Sequence, residues 1–344
     1  MATTTLQPVS PWRRIPLNMA LALLNAYGAS VTIFLVARVL VGERWQIIAL
    51  FNSGAHLLLL PSILLLPLAV LLRRGATIAL VTPPLVAFLL SYAVMFMPRN
   101  VPTVAAGEPL AVLTYNLKSQ ADDLDAALDT ILDADADVVA LQELSQPMAD
   151  ALATALADAY PYQAHHAMPG NPIPGQGLLS RYPIVTDAYW RVNLAMQRVT
   201  LDVAGTTVAL YNAHPPQPIS QNGFAMRAED ISDLLARAGR ETGPVILMGD
   251  FNMSDQSEDY GRLSGVYQDA YHAAGWGMGF TFPATVPYFG SGRYAPSFFS
   301  LVPPLIRLDY VFHDSAFTTV DAQVWPESGG SDHLPLYVEL ALHG

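Results

Sequence analysis

Three long runs without a charged residue dominate the first hundred positions of the chain, Ile15–Ala37, Trp45–Leu72 and Ala76–Met97. A helix needs about 20 apolar residues to cross the hydrocarbon core of a bilayer, and arginine, tryptophan and proline residues suit its two ends. Because such residues flank all three runs, the pattern predicts a transmembrane helical anchor over 1–100, with spans at about 15–37, 45–72 and 76–97. A cleaved signal peptide would explain only the first run.

The second run is less regular, because Pro61 and Pro67 lie inside it and should kink a helix. We expect either a bent span or a re-entrant hairpin. With three spans, four arginines lie on the N-terminal side of the membrane and three on the other, and cytoplasmic loops are enriched in arginine. This predicts an integral protein of a bacterial plasma membrane whose following domain is extracytoplasmic. A re-entrant second run would reverse that side.

A linker at 101–109 separates the anchor from a second part, 110–344, in which short apolar runs alternate with helical patterns. Runs rich in valine, leucine, isoleucine and tyrosine predict eight strands, at Leu110–Leu117, Asp137–Glu143, Gly177–Ile184, Thr206–His214, Val245–Asn252, Arg307–Asp314, Thr318–Trp325 and Leu334–Leu342. Amphipathic patterns predict helices at about 121–134, 147–159 and 222–239. The order strand, helix, strand, helix, then more strands predicts an α/β layered domain.

Charge separates the two parts further. The first 100 residues contain seven arginines and one acid, and the rest contains ten basic and 28 acidic residues, so that +6 and −18 give the net charge of −12. The chain has no cysteine. This excludes a disulfide scaffold, a zinc–thiolate site, an iron–sulfur cluster and a cysteine nucleophile.

Polar residues stand near the ends of the predicted strands, where α/β domains collect ligand sites. The candidates are Asn116, Glu143, His214, Asp250, Asn252, Asp309, Asp332 and His333. Taken singly, each also has a structural reading as a helix cap, a turn or an exposed strand end. Carboxylates and amides without thiols favour a hard cation, Mg²⁺ or Mn²⁺, over Zn²⁺.

Seven short motifs occur in order through this part of the chain. They are Leu113–Leu117 (LTYNL), Leu141–Glu143 (LQE), Ser180–Ile184 (SRYPI), Asn212–His214 (NAH), Met248–Asn252 (MGDFN), Arg307–Phe312 (RLDYVF) and Gly330–Pro335 (GSDHLP). Their order and spacing resemble the endonuclease/exonuclease/phosphatase superfamily, which includes deoxyribonuclease I and neutral sphingomyelinases. The resemblance covers about 110–342 and implies a four-layer α/β sandwich, with two β-sheets packed face to face and helices outside.

The resemblance also implies roles for the candidates. Glu143 would be the main ligand of a divalent metal, completed by Asn116 and Asp332 directly or through water. Asp250 would orient the attacking water, and Asn252 would hold the phosphate or the nucleophile. Asp309 and His333 resemble a carboxylate–imidazole pair.

His214 would be a second histidine, acting as a phosphate donor or as the acid for the leaving group. Whether Asp250 or His333 takes the proton of the water stays open at this point.

The acidic surface bears on the substrate, because enzymes that grip long nucleic acids use lysine and arginine to displace counterions. One lysine and nine arginines against 28 acids argue against stable nucleic-acid binding.

The aromatic segment Phe280–Ile306, with Arg293 as its one charge, either lies at a bilayer interface or packs on its own domain.

These observations predict a membrane-anchored, divalent-metal-dependent phosphodiesterase whose partners are the lipid bilayer and a lipid-linked or small organophosphate. A metal-dependent nuclease is one alternative. A non-catalytic membrane subunit that uses the fold as an interaction module is another. The phosphodiesterase requires that residues scattered from 116 to 333 converge on one pocket.

Overall fold

The structure is a computed structural model and describes residues 11–98, 107–118, 124–218, 222–284 and 302–343. The chain divides into two compact units, Met1–Val94 and Met95–Gly344. Of the linker predicted over 101–109, positions 101–106 lie outside the described residues. So do positions 285–301 of the aromatic segment predicted to face a bilayer or the domain.

The first unit is helical. Its helices are α1 (Pro11–Val41), α2 (Gln46–Ser53), α3 (Ala55–Leu59), α4 (Ser62–Leu71) and α5 (Gly75–Tyr92), with 3-10 turns at Gly42–Arg44 and Ala93–Phe96. Two stretches, Pro16–Arg44 and Gly75–Phe96, are long and apolar enough to cross a membrane. The stretches Gln46–Ser53 and Ala55–Leu71 would form a third span only if the bent pair counts as one, since they meet at 77°.

The sharp bend in the second apolar run lies at Gly54, whereas the sequence led us to expect kinks at Pro61 and Pro67. Gly54 leaves the helical region, with φ −113° and ψ 24°. Pro61 caps the start of α4, where the missing N–H has no helical partner to lose, and Pro67 lies inside that helix. Regular helix is thus interrupted at Pro61, between α3 and α4, and continues through Pro67, while the 77° bend lies at Gly54.

Within this unit, α1 and α5 approach closely at a glycine. A Cβ on Gly28 would lie 2.7 Å from the carbonyl oxygen of Leu80, so only glycine fits there. The unit's one acid, Glu43, accepts a hydrogen bond from Asn52 Nδ2 at 2.8 Å. Its carboxylate is thus partnered near the ends of α1 and α2.

The second unit has twelve strands and five helices among its described residues. The strands are β1 (Glu108–Asn116), β2 (Val138–Gln142), β3 (Tyr162–His166), β4 (Gln176–Ser180), β5 (Ile184–Arg191), β6 (Ala195–Val203), β7 (Thr206–His214), β8 (Val245–Asp250), β9 (Gln268–Asp269), β10 (Asp309–His313), β11 (Phe317–Val324) and β12 (Leu336–Leu342). The helices are α6 (Leu124–Ala134), α7 (Gln146–Ala155), α8 (Gly223–Ala238), α9 (Glu258–Ser264) and α10 (Ala270–Ala274). The predicted strand over Thr206–His214 matches β7 at both ends.

The strands form two six-stranded sheets, in the orders β11-β12-β1-β2-β4-β3 and β5-β6-β7-β8-β10-β9. Each sheet has one parallel pair at its centre, β1–β2 in the first and β7–β8 in the second, and the other pairs are antiparallel. Strand side chains alternate between the two faces of a sheet. This alternation gives the fold three apolar layers.

The inner faces of the sheets share one core, which includes Val112 and Met248. The outer faces pack on helices, with Tyr115 in a cluster that contains α6 and α7 residues and Phe251 in a cluster that contains α8 and α9 residues. The predicted α/β sandwich of two packed sheets flanked by helices is therefore confirmed.

Candidate active site

The inner face of the sandwich changes from apolar to polar at one end of the central strands. In β1 the core residue Val112 is followed on the same face by Asn116, and in β8 Met248 is followed by Asp250. His214 ends β7 in the same way. Because β1–β2 and β7–β8 are parallel pairs, these polar residues all lie at carboxyl ends of strands. Asp309 joins them from the antiparallel strand β10, directly opposite Asp250 in register.

The carboxylate of Asp250 is the centre of a buried cluster. Its Oδ2 atom accepts a hydrogen bond from Asn116 Nδ2 at 2.9 Å. The same oxygen lies 3.7 Å from His214 Nε2 and 3.7 Å from His333 Nε2. All four side chains are buried, and they come from both sheets and from the loop before β12. The convergence that the phosphodiesterase prediction required is thus present in the structure.

Glu143 lies beside this cluster and reaches toward solvent. Its Oε1 atom is 3.4 Å from Asn116 Nδ2 and 3.8 Å from His214 Nε2, and its side chain is 13% exposed. The residue has φ 53°, and Lys118 (φ 52°) and Asn252 (φ 49°) are also left-handed. Non-glycine residues in this region are strained and concentrate at functional sites. Three of the six such residues in the described part of the chain therefore lie in or beside this cluster.

Asp309 and His333 form a close pair. Asp309 Oδ2 lies 2.9 Å from His333 Nδ1, so the ring nitrogen donates to the carboxylate. Burial alone would lower the pKa of His333, but the carboxylates of Asp309 and Asp250 outweigh it and raise that pKa to about 10. Complete burial raises the pKa of the Asp250 carboxyl to about 6, against the opposing effect of the His333 charge. The proton of this trio therefore resides on the imidazole.

Hydrogen bonds from Thr281 and Ser331 hold the backbone on both sides of the Asp309–His333 pair. Thr281 Oγ1 accepts the backbone N–H of Asp309 at 3.4 Å, and the carbonyl of Thr281 accepts the N–H of Leu334 at 2.8 Å. Ser331 Oγ donates to the carbonyl of Asn116 at 2.6 Å and accepts the N–H of His333 at 3.0 Å. The loop before β12 is thereby fixed to the end of β1.

Asn252 is held by its backbone rather than aimed at the cluster by its amide. Its N–H donates to Asp250 Oδ1 at 2.9 Å, and its Nδ2 donates to the carbonyl of Pro215 at 3.0 Å. Arg227, a buried residue of α8, donates from Nη1 to the carbonyl of Asn252 at 2.8 Å and from Nε to Asp259 at 2.9 Å. Arg227 therefore supports the left-handed turn after β8. The predicted role of the Asn252 amide stays a prediction.

Asp332 stands at the edge of the site. Its Oδ2 atom lies 3.6 Å from Lys118 Nζ, and about a third of its side chain is exposed. Its carbonyl accepts the N–H of Ala284 at 2.6 Å. Asp332 as a metal ligand stays a prediction, and its resolved polar partner is an ammonium group.

A layer of buried amides lies under the cluster. Gln142 Nε2 donates to Asn212 Oδ1 at 2.8 Å, which joins β2 of one sheet to β7 of the other. Asn212 Nδ2 donates in turn to the carbonyls of Leu141 and Gly177 at 3.0 and 3.1 Å. Gln142 precedes Glu143, and Asn212 stands two residues before His214. The amide layer therefore sets the relative position of the two sheets at the site.

The donors present suit a hard divalent cation. Glu143 offers a carboxylate at the solvent side of the cluster, and the amide oxygen of Asn116, which accepts the N–H of Lys118 at 2.9 Å, keeps a second lone pair for an ion. Two buried atoms of the cluster, Asp309 Oδ1 and His214 Nδ1, have no hydrogen-bond partner among the described residues. Buried polar atoms are normally paired, so each of these two atoms is left for a ligand or a water molecule to complete.

A different trio could also hold an ion. Ligand atoms of Asp250, Asp309 and His333 lie within 4.8 Å of one another. His333 Nδ1 donates to Asp309 at 2.9 Å, so Nε2 is the ring nitrogen that would be available to an ion there. The ligands predicted from the sequence, Glu143, Asn116 and Asp332, are a different set.

Sequence reasoning missed several residues of this site. Lys118, Arg227 and Thr281 were not among the candidates, although Lys118 lies two positions after Asn116. The position of Lys118 directly after the motif Leu113–Leu117 was the sequence feature that could have identified it. Arg227 and Thr281 act through backbone groups far away in sequence, and no local pattern marks them.

The comparisons with known proteins agree with this geometry. The family model described as the endonuclease/exonuclease/phosphatase family matches residues 113–333, from β1 to the loop that carries His333. The chain belongs to this family. The comparison with curated proteins gave no match to this chain.

Several solved structures share the family's fold. A humanized TDP2 of D. rerio is 17% identical to the chain, covers 68% of this chain and 99% of its own length, and has a TM-score of 0.53. The family protein of Bacteroides vulgatus is 19% identical, covers 68% and 99%, and has a TM-score of 0.54. The family protein of Beutenbergia cavernae is 22% identical, covers 69% and 72%, and has a TM-score of 0.50. At these identities the likeness establishes the fold.

Proposed function

We propose that the chain is a membrane-anchored, divalent-metal-dependent phosphodiesterase that hydrolyses a lipid-linked or small organophosphate. The observation that carries the proposal is the meeting of Asn116, His214 and His333 around the Asp250 carboxylate, with Glu143 beside it at the solvent side. The family's fold supports a hydrolase that acts on phosphoesters.

The residues divide the chemistry among them. Glu143 and Asn116, with Asp332 as the third predicted ligand, would hold Mg²⁺ or Mn²⁺. That ion supplies positive charge to the phosphoryl oxygens and lowers the pKa of a bound water. Asp250 is a buried carboxylate with a raised pKa, which suits it to accept a proton from the attacking water.

The two histidines supply hydrogen-bond donors. Asp309 fixes the ring of His333 and keeps it protonated, so that Nε2–H faces the cluster and can donate to a phosphoryl oxygen. His214 Nε2 lies 3.8 Å from Glu143 Oε1 and 3.7 Å from Asp250 Oδ2. We assign it to the phosphate or to the leaving group.

The anchor supports a substrate that resides at or near a membrane. Large apolar side chains of its helices are exposed in the structure, among them Leu40 at 77%, Leu71 at 79% and Leu90 at 81%. Exposure of this kind fits contact with lipid. Residues 101–344 carry 18 more acids than bases, so this part of the chain repels a long polyanion such as DNA as it approaches. A small substrate with a single phosphate group interacts mainly with the charges within a Debye length of the site.

The test is an activity screen on the full chain in detergent with Mg²⁺ or Mn²⁺. We expect hydrolysis of a phospholipid in vesicles or of a bis-aryl phosphate. The rate should fall by about 10²-fold or more in Glu143→Ala, Asp250→Ala and His333→Ala. Asp158→Ala, which removes an exposed carboxylate in the turn after α7, is the matched control and should retain the wild-type rate.

The other outcomes separate the alternatives. Plasmid cleavage far above any lipid or small-ester hydrolysis would establish the nuclease. Absence of metal binding at millimolar concentration, with a partner that co-purifies stoichiometrically, would establish a non-catalytic subunit. Protease added to intact spheroplasts tests the extracytoplasmic location, because it should degrade 110–344 only if that part lies outside.

A further inference from the structure

Lys118 is the single lysine of the chain, and the structure fixes it at the rim of the candidate site. Its backbone is left-handed, with φ 52°, a conformation that costs free energy for any residue with a Cβ. The backbone N–H donates to Asn116 Oδ1 at 2.9 Å, which holds the turn in place. The direction in which the side chain leaves the chain is therefore set by a residue of the buried cluster.

The ammonium group has an exchangeable partner. Lys118 Nζ lies 3.6 Å from Asp332 Oδ2, and the two side chains are 40% and 35% exposed. Asp332 is followed directly by His333, whose ring faces Asp250. Exposed ion pairs of this length contribute little to stability, so an incoming anion can replace the Asp332 carboxylate at little cost.

The charge around the site favours a further cation beside a bound metal. Glu143, Asp250, Asp309 and Asp332 place four carboxylates in or beside the pocket. A divalent metal would offset two of these charges, so a phosphate anion is bound more favourably with an ammonium group at the rim. Six arginines of the same unit pair with acids outside the cluster, namely Arg181, Arg198, Arg227, Arg237, Arg262 and Arg307.

We infer that Lys118 binds a non-bridging phosphate oxygen of the substrate at the open side of the pocket, and that Asp332 is its counter-ion until the substrate arrives. The inference rests on the proposed function for the presence of a phosphoester. The new element is that Lys118 recognises the phosphate group of the substrate rather than another part of it. It also gives Asp332 a role other than metal ligation.

Inorganic phosphate is the probe, titrated by calorimetry into the full chain in detergent at saturating Mn²⁺. Lys118→Gln should weaken phosphate binding about tenfold and reduce its dependence on salt, and Lys118→Arg should recover part of the loss. Asp332→Asn should tighten phosphate binding, because it removes the competitor. Arg191→Gln makes the same charge change on exposed β5 and should have no effect.

Two results would overturn the inference. One is equal phosphate affinity in Lys118→Gln and Arg191→Gln. The other is a loss of Mn²⁺ affinity in Asp332→Asn without tighter phosphate binding, which would make Asp332 a metal ligand. The proposed function fails separately if the wild type binds phosphate through Lys118 but, loaded with Mn²⁺, hydrolyses no phosphodiester. Melting temperatures of the Lys118, Asp332 and Arg191 variants should match the wild type, since these three side chains are a third or more exposed.

Discussion

Gly249 occupies the tightest place in the second sheet, and replacing it with alanine tests how the site is held. The residue lies between Met248 and Asp250 in β8, pairs with Ala213 of β7, and has φ +147°. A Cβ at this position would lie 1.9 Å from the carbonyl oxygen of Ala213 and 2.8 Å from its carbonyl carbon. Both are backbone atoms, which cannot rotate away as the end of a side chain could.

The cost can be worked from these contacts. Overpacking of a tight site costs about 1–3 kcal/mol, and a non-glycine residue at such a φ adds about 1–3 kcal/mol. We therefore expect Gly249→Ala to lower the free energy of unfolding by about 3 kcal/mol. For a domain of this size that corresponds to a melting temperature about 6–12 °C lower.

The catalytic effect should exceed the effect on stability. Ordinary contact requires 3.4 Å in place of 1.9 Å, so β7 and β8 must separate where His214 and Asp250 follow directly. A displacement of about 1 Å at reacting groups costs on the order of 10²-fold in rate. Thermal melts and hydrolysis rates measure the two effects on the same preparation.

A glycine of α9 provides the matched control. Gly261 has open space around its Cα, and alanine in a helix is favoured over glycine by about 1 kcal/mol. Gly261→Ala should therefore melt at or above the wild-type temperature and keep full activity. A Gly249→Ala variant that melts within 2 °C of the wild type, on the order of 0.5–1 kcal/mol, and stays active would refute the reasoning.

Two further substitutions test residues outside the cluster. Arg227→Met should lower activity at least about tenfold, because the Asn252 turn loses its support, while Arg262→Met, which removes the exposed partner of the same Asp259, should stay close to wild type. Equal losses in the two variants would assign the effect to the Asp259 ion pairs. Glu241→Gln tests a carboxylate that binds an arginine of β6 and a tyrosine of β7. The hydrogen bond from that arginine lowers the pKa of Glu241, so its stabilisation is present above the unfolded pKa of about 4.3 and is lost as the pH falls through the folded value. Wild type should therefore melt above Glu241→Gln at pH 7, and the difference should shrink toward pH 3; a difference that stays constant between the two would contradict this.

The positions of the polar strand ends were accessible from sequence. Alternation in β1 and β8 puts Asn116 and Asp250 on the face that carries Val112 and Met248, and parallel strands bring their carboxyl ends to one edge. The convergence was therefore predictable once the fold class was known. Which of these side chains contact one another within the pocket was not predictable, because those contacts depend on residues from loops distant in sequence.

Four strands, β3, β5, β6 and β9, were not predicted, and three of them, β3, β5 and β9, are at edges of the sheets. The predicted run Gly177–Ile184 combines β4 with the turn before β5. β5 is largely exposed, and β3 contains two histidines and a glutamine, so neither shows an apolar run. β6 is buried except at the half-buried Arg198 and Asp202, and its polar residues break up the apolar run. Strands of this kind are defined by their neighbours rather than by their own composition.

The division of the pocket between the two sheets has a consequence for how activity arises during folding. Asn116 and Glu143 belong to one sheet, and His214, Asp250 and Asp309 to the other, with the Gln142–Asn212 hydrogen bond between them. Neither half can carry out part of the reaction before the halves dock. The rate of hydrolysis therefore reports whether the two sheets have docked. A folding intermediate with both sheets formed but apart would have the secondary structure of the native protein by circular dichroism and no activity.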